Sequence, residues 1–360
     1  MPAAPRSGVR LIAAAPAAAA RRLSPLDASG ALFGLRATAA TLAALWLAMQ
    51  LQFETPRWAA WTVMSLSLPT HGLVATKGAW RAGGTVLGLV AGMAGVALLA
   101  QSPVAMGLFL AAWCAFCAWC GGRFSGNAAY GAALAALTAS LLVILSAPDP
   151  LSAFSVATAR GADIFLGVAC AYVASALSEF LSAQQPANVA AGPRPGPAEV
   201  AAGGVRAFVA VALSWALWLA TAWTDGGVFV VFVAVIVVVF GAAPDADRRT
   251  PAYLRGVAIG QGLGLFVKFV LLAAPTSFPM LAATLAPFIF VGAAGMKDPR
   301  SADTAIGFNL SFLLAADPAN PMQFDPVASI NETFAIFAGV AGGIAAYRFI
   351  LPRLVWRSAP

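Results

Sequence analysis

Apolar residues along this chain fall into long blocks punctuated by turn residues and charges. Blocks lie near residues 32–51, 58–75, 82–101, 104–121, 127–147 and 159–181. A second series follows at 206–223, 227–243, 252–273, 278–295, 303–316 and 332–351, the eleventh having the shortest clean apolar run. One spanning helix needs about 20 mostly apolar residues. The pattern therefore predicts an all-α polytopic membrane protein with about twelve transmembrane helices. A buried helix of a soluble protein can mimic one such block, but not the whole series.

The two series look alike. Between them lies Ser182–Gly204, rich in Pro, Gly and Ala, which reads as a short flexible cytoplasmic linker. Gly34-Leu35-Arg36-Ala37 opens the first series and Gly204-Val205-Arg206-Ala207 the second. Later in each comes an arginine with a glycine series, Arg81 with Gly84, Gly88 and Gly92, and Arg255 with Gly256, Gly260 and Gly264. The arginine-to-glycine offsets differ, so the match is approximate. Six spans return the chain to its starting side, so the two six-helix halves are expected to run parallel, related by an axis along the membrane normal. The expected organisation is a basic cytoplasmic tail (1–31), a first half (32–181), the linker (182–204), a second half (205–351) and a second tail (352–360). Glycines spaced by four make a smooth groove that admits a neighbouring backbone. The six glycines are read as helix-packing positions, with the lining of a substrate path as the alternative.

Composition agrees with a membrane setting. Of 360 residues 61% are hydrophobic and 10% charged, against about a quarter charged in soluble domains, which excludes a water-soluble enzyme. The net charge of +7 acquires meaning from placement. With the N-terminus inside, 18 of the 21 basic residues fall on the cytoplasmic side, Arg57 and Arg160 fall outside, and Lys268 falls within a span. Adding or losing one early span destroys that bias. Both termini are thus expected in the cytoplasm, and the positive excess marks topology and not a nucleic-acid surface. The segment Leu11–Ala20 makes a poor signal peptide, because Arg21-Arg22 stand where a cleavage site belongs. Cys114, Cys117 and Cys120 share an apolar block without His or carboxylate and read as packing residues, so no metal is expected. Nucleotide-binding loops, zincin pairs and hydrolase elbows are missing from the sequence, so no cofactor and no enzyme activity are expected.

Ionisable groups inside spans are costly, about 2.5–3.5 kcal/mol each on insertion scales. Lys268, deep in the ninth block, either faces a cavity or snorkels to the outer interface. Asp163 either pairs with Arg160 one turn before it or serves as a protonatable carboxylate in the path. Arg36 either snorkels to the inner surface or meets an anion. His71, at the inner end of the second block, is a titrating gate or an interfacial polar turn. Asn309 and Ser311 need partners inside a bundle and suit hydrogen bonding to substrate. Glu54 and Arg57 read as a solvated local pair, and Asp245–Arg249 and Lys297–Arg300 as inner loops that set topology.

Several short motifs occur in a telling order. Leu35-Arg36-Ala37, Pro56-Arg57-Trp58-Ala59, Lys77, Arg81 and Gly83-Gly84-Thr85 resemble the fusaric acid resistance family of bacterial inner-membrane exporters, including its aromatic carboxylic acid efflux branch. Leu285-Ala286-Pro287-Phe288, Asp298-Pro299-Arg300, Gly307-Phe308-Asn309-Leu310, Asp325-Pro326-Val327-Ala328 and Asn331 are similar to that family in the second half. The resemblance covers about residues 30–355 apart from the linker, while the large cytoplasmic regions usual in the family are missing from this sequence. It implies a multi-pass inner-membrane protein exporting small aromatic or related carboxylic acids, with a periplasmic membrane-fusion partner and a homodimer as the expected assemblies. On that implication Arg36, Lys268 and Asn309 bind substrate, while Asp163 and His71 couple export to protons. A passive anion channel and a non-transporting scaffold are the alternatives.

Overall fold

The computed structural model describes residues 28–67, 74–124, 126–182, 195–241, 246–273 and 277–350. His71 lies outside the described residues. Twelve α-helices occur among them, one for each expected block. They are α1 (Ala28–Gln50), α2 (Arg57–Leu66), α3 (Val74–Leu99), α4 (Pro103–Arg123), α5 (Asn127–Ser146) and α6 (Ala153–Ser182). There follow α7 (Pro197–Thr221), α8 (Gly226–Val239), α9 (Ala246–Phe266), α10 (Phe278–Gly295), α11 (Ala302–Ala316) and α12 (Pro326–Phe349). Helix α7 begins inside the segment expected as linker.

Local chemistry sets several starts. Ser102 accepts a hydrogen bond from the Ala105 N–H, with Pro103 in the first helical position of α4. Asp325 does the same for Ala328 ahead of Pro326 in α12. Pro56 precedes α2, and Ser67 ends it in extended backbone. Helix α9 runs on into a π-helical turn, Val267–Leu271, which carries Lys268.

Nine of the helices are long and apolar enough to cross a membrane. The other three are short: α2 has 10 residues, α8 has 14 and α11 has 15. At 1.5 Å per residue these reach only about 15–23 Å, against roughly 30 Å of hydrocarbon. The expectation of twelve equivalent spans therefore changes to nine long helices around three short ones. The short helices are not peripheral. Helix α2 packs on α11, and α8 packs on α5, so they occupy the middle of the bundle. Long apolar side chains such as Leu98 and Phe180 face outward instead.

Helix pairings in the first six recur in the last six. Helix α3 packs on α5 as α9 packs on α11, α2 on α6 as α8 on α12, and α4 on α7 as α10 on α1. The tightest of these are backbone-to-backbone. A Cβ on Gly84 would overlap the Gly131 carbonyl oxygen, and one on Gly256 would overlap that of Thr304. Gly88 faces the Ala135 carbonyl and Gly92 faces Leu142, while Gly260 and Gly264 face the carbonyls of Phe308 and Phe312. Each glycine in α9 stands 172 residues after its counterpart in α3, so the register is carried by the glycines and not by the arginines before them. Dispersion contacts, not hydrophobic exclusion, hold helices together in lipid, so this close approach anchors α5 and α11.

Adding one methyl group at these contacts is expected to cost about 1–3 kcal/mol, because a neighbouring backbone cannot give way. Gly84→Ala and Gly256→Ala should lower the melting temperature of the purified protein in detergent. Gly262→Ala, with no atom within 4 Å of the new methyl, should be neutral or slightly stabilising. Equal melting temperatures for all three would remove the glycines from this role.

Candidate functional site

The middle of the bundle holds a cavity of about 230 Å³ between α2, α3 and α5 on one side and α8, α9, α11 and α12 on the other. That is somewhat below the roughly 300–1,000 Å³ of drug-sized ligand sites, and it suits a molecule of one ring. Its wall is aromatic and aliphatic. Trp58 and Trp61, three residues apart, share one face of α2, with ring centroids 5.5 Å apart. Phe232 of α8, Phe240 just after that helix and Tyr253 of α9 face the same space. The polar lining is sparse: Lys77, Arg249, Asp303, Asn309 and the hydroxyls of Ser65, Ser67, Tyr130 and Ser311.

Positive charge collects at one end, where α3 and α9 begin. The Lys77 ammonium donates to the Ser65 carbonyl at 2.6 Å and lies 4.8 Å from the centre of the Tyr130 ring. Arg81, 1% exposed, donates to the hydroxyls of Thr62, Ser65 and Tyr130 and stacks over Trp61 at 5.2 Å. Neither meets a carboxylate among the described residues. Burying a charge costs several kcal/mol unless it is paired; hydroxyls and ring faces offset part of that cost and leave the charge uncancelled. Arg249 stands 172 residues after Lys77, at the spacing that relates the glycines. There the cation is matched, since Arg249 forms an ion pair with Asp303 at 2.9 Å.

The other end is closed by ion pairs. Arg57, at the start of α2, reaches Asp317 at 2.8 Å, Glu332 at 3.2 Å and the Leu314 carbonyl at 3.4 Å. Asp317 caps α11 in the left-handed region, with φ +43°, a conformation that Asp tolerates better than most residues. It also pairs with Lys268 at 3.0 Å. One carboxylate thus joins α2, α11 and the π-turn after α9. Beside it Asn331 donates to Asp225 and accepts from the Trp223 indole at 2.7 Å.

Of the five residues that sequence reasoning gathers, His71 lies outside the described residues, and the fold disperses the other four. Asn309 lines the cavity; its side-chain oxygen is buried and accepts from no described group. Lys268 belongs to the ion cluster and not to the cavity wall. Arg36 donates to Ser178 at 3.1 Å on the α1–α6 contact, beside a separate small crevice. Asp163 accepts from Thr55 at 2.7 Å and makes no ion pair with Arg160, whose guanidinium lies over the Trp58 ring at 4.4 Å. Arg57 likewise does not pair with Glu54, because Asp317 and Glu332 take it. Sequence reasoning gave none of Lys77, Arg81 and Arg249 a place at a site: it read Lys77 and Arg81 as inner basic residues and family motifs, and Arg249 as part of a topology-setting loop. The signal was present: Lys77 and Arg81 lie four apart on the helix that carries the glycine series, and Arg249 repeats Lys77 at the glycine spacing. Among the described residues no group of three or more His, Cys, Asp or Glu side chains could hold a metal ion.

Comparison with known proteins agrees with this picture. The fusaric acid resistance protein family matches residues 30–186 and 179–359. The p-hydroxybenzoic acid efflux pump subunits AaeB of Enterobacter cloacae, Shigella boydii and Escherichia coli are each 30% identical over 154 residues. That stretch is 40% of this chain and 24% of each relative, so the chain matches about a quarter of the relatives' length. No solved structure matches the chain.

Removing Arg57 strands Glu332 and leaves Asp317 with Lys268 alone, whereas removing Lys268 strands no carboxylate, because Arg57 still holds Asp317. Arg57→Gln should therefore destabilise more than Lys268→Gln. Its cost should approach the lower end of the roughly 3–5 kcal/mol for breaking a buried pair, since Glu332 keeps 31% exposure. Denaturation of the purified variants in mixed micelles ranks the two; the reverse order refutes the bridging role.

Proposed function

The chain belongs to the fusaric acid resistance protein family, and from that premise we propose that it is an inner-membrane efflux transporter for small aromatic carboxylic acids. The observation that carries the reading is the pairing of an aromatic-walled cavity with Lys77 and Arg81, two cations that meet no described carboxylate. A carboxylate arriving at Lys77 supplies the missing countercharge. The ring of the acid lies between the tryptophans of α2 on one side and Phe232 and Phe240 on the other. The unpaired oxygen of Asn309 accepts from a ring hydroxyl. That the three related efflux pump subunits are named for p-hydroxybenzoic acid supports the same substrate class here, and the word subunit supports a further component in the complex.

The architecture is two parallel six-helix halves. The constant 172-residue spacing of the glycines and the recurrence of each principal helix pairing support it. Short helices at corresponding positions of two repeats are a feature of transporter binding sites, and α2 and α8 are second in their halves. With both termini cytoplasmic, Lys77 and Arg249 stand at the inner mouth and the Arg57 cluster closes the outer one. Lys268 then acts in closure and not in substrate contact. Asp163, 1% exposed with one oxygen accepting from Thr55 and the other from no described group, is the proton carrier.

Uptake of p-hydroxybenzoate into inside-out proteoliposomes tests both parts. A charge-assisted hydrogen bond is worth about 1.5–3 kcal/mol, so Lys77→Gln should raise KM at least about tenfold. Wild-type KM in that variant sinks the site. An imposed pH gradient should accelerate the wild type, and Asp163→Asn should transport at a rate indifferent to the gradient. If the wild type itself ignores the gradient, the protein is a passive anion pathway.

A further inference from the structure

Behind the aromatic wall of the cavity lies a second, much smaller void. Its volume is about 10 Å³, room for one body the size of a water molecule. Trp58 and Trp61 separate it from the main cavity, and Arg81 of α3 and Arg160 of α6 also line it. These four side chains form a continuous stack. Arg160 lies over Trp58 at 4.4 Å, Trp58 and Trp61 are 5.5 Å apart, and Arg81 lies over Trp61 at 5.2 Å. Each tryptophan of the pair thus carries one guanidinium over its ring. All four residues are more than nine-tenths buried.

The hydrogen-bond balance here is one-sided. The indole N–H groups of Trp58 and Trp61, the Arg81 Nε–H and an Arg160 Nη1–H are buried and reach no acceptor among the described residues. Orphaned buried donors are rare and costly. Among the side chains that line the void, Thr138 alone carries an oxygen. The charge balance is one-sided too. Arg81 meets hydroxyls, and Arg160 forms no ion pair, since Asp163 three residues on is turned to Thr55. Arg81 and Arg160 both line the void and no described carboxylate does, while Asp163, Glu332 and Glu54 lie within electrostatic range of Arg160 from outside it. Water fits this environment poorly, because each of its protons needs an acceptor. A small anion accepts from every donor and offsets both charges at once.

We propose that this void is a binding site for one free monovalent inorganic anion of halide size, with chloride the physiological occupant. The site lies behind the place assigned above to the transported acid and shares Trp58, Trp61 and Arg81 with it, so the two are separated by the measurements below. A carboxylate carried on a ring is too large for the void while Trp58 and Trp61 close it. The bound ion steadies the stack from behind and so fixes the wall against which the cavity's occupant rests.

The full chain in detergent, exchanged into sodium gluconate, is titrated with sodium chloride at constant ionic strength while its melting temperature is followed. The expected result is a saturable rise with chloride and with bromide that gluconate does not produce. Trp61→Phe removes one N–H and keeps the ring, and it should raise the chloride midpoint at least about threefold. Arg160→Gln should abolish the response. Should Arg160→Gln fail to fold, Trp58→Phe replaces it, since it leaves the cation stack intact and deletes only a donor. Superimposable chloride and gluconate titrations overturn the proposal, as does an unchanged midpoint in both donor-deleted variants. Titration with p-hydroxybenzoate in gluconate separates the sources: a rise that Trp61→Phe weakens in parallel with the chloride rise assigns the donors to the transported acid and overturns the free-anion site. Transport measured on the same preparations can fail while the chloride response persists, which rejects the transport reading and leaves this site standing.

Discussion

A charge that enters hydrocarbon must find its partner inside the protein, because lipid tails offer neither dipoles nor ions. That constraint organises this molecule. At one end of the central cavity it is met completely: Arg57 and Lys268 share Asp317, Glu332 takes the rest of Arg57, and three chain segments are thereby joined. At the other end Arg249 meets Asp303, while Lys77 and Arg81 are held by hydroxyls, a carbonyl and ring faces alone. The asymmetry between the ends gives the cavity an electrostatic direction.

The packing makes such an arrangement tolerable. Glycines on α3 and α9 let the backbones of α5 and α11 approach to contact, which braces the centre without large side chains. Space saved there is given to α2 and α8, helices too short to span the hydrocarbon alone, whose ends carry polar groups deep into the bundle. Helix α2 shows the consequence most clearly. Its first residue, Arg57, reaches the ion cluster, its middle presents Trp58 and Trp61 to the cavity, and Ser65 near its end receives Lys77 and Arg81. A single helix of 10 residues thus connects the closed end, the wall and the cationic end.

Ion pairs in such a bundle are read poorly from neighbours in the chain. Arg160 and Asp163 stand one helical turn apart, yet the guanidinium prefers an indole face and the carboxylate a threonine from the loop before α2. Glu54 and Arg57 lie three apart, yet Arg57 is drawn to carboxylates more than 250 residues away. In each case local spacing permitted a pair worth a few tenths of a kcal/mol, and tertiary packing supplied a better-buried partner. Lys268 is the converse. It stood out because no topological rule explains it, and the fold explains it with Asp317, which lies beyond the eleventh apolar block.

What the sequence determined by itself was everything that depends on average environment. The apolar blocks located the helices, the glycine spacing marked the faces that meet, and the motifs shared with the family were legible in order. Tertiary structure alone decided which blocks are too short to span, which charges are spent on one another and which remain available. The physical reason is the range of the interactions. Transfer into lipid and helix formation are properties of a contiguous segment, so they are written in consecutive residues. Charge pairing at low dielectric depends on distances between segments that only packing brings together. Lys77 and Arg81 stood in the sequence as family motifs without a partner assigned, and only the fold showed that no carboxylate among the described residues comes to meet them.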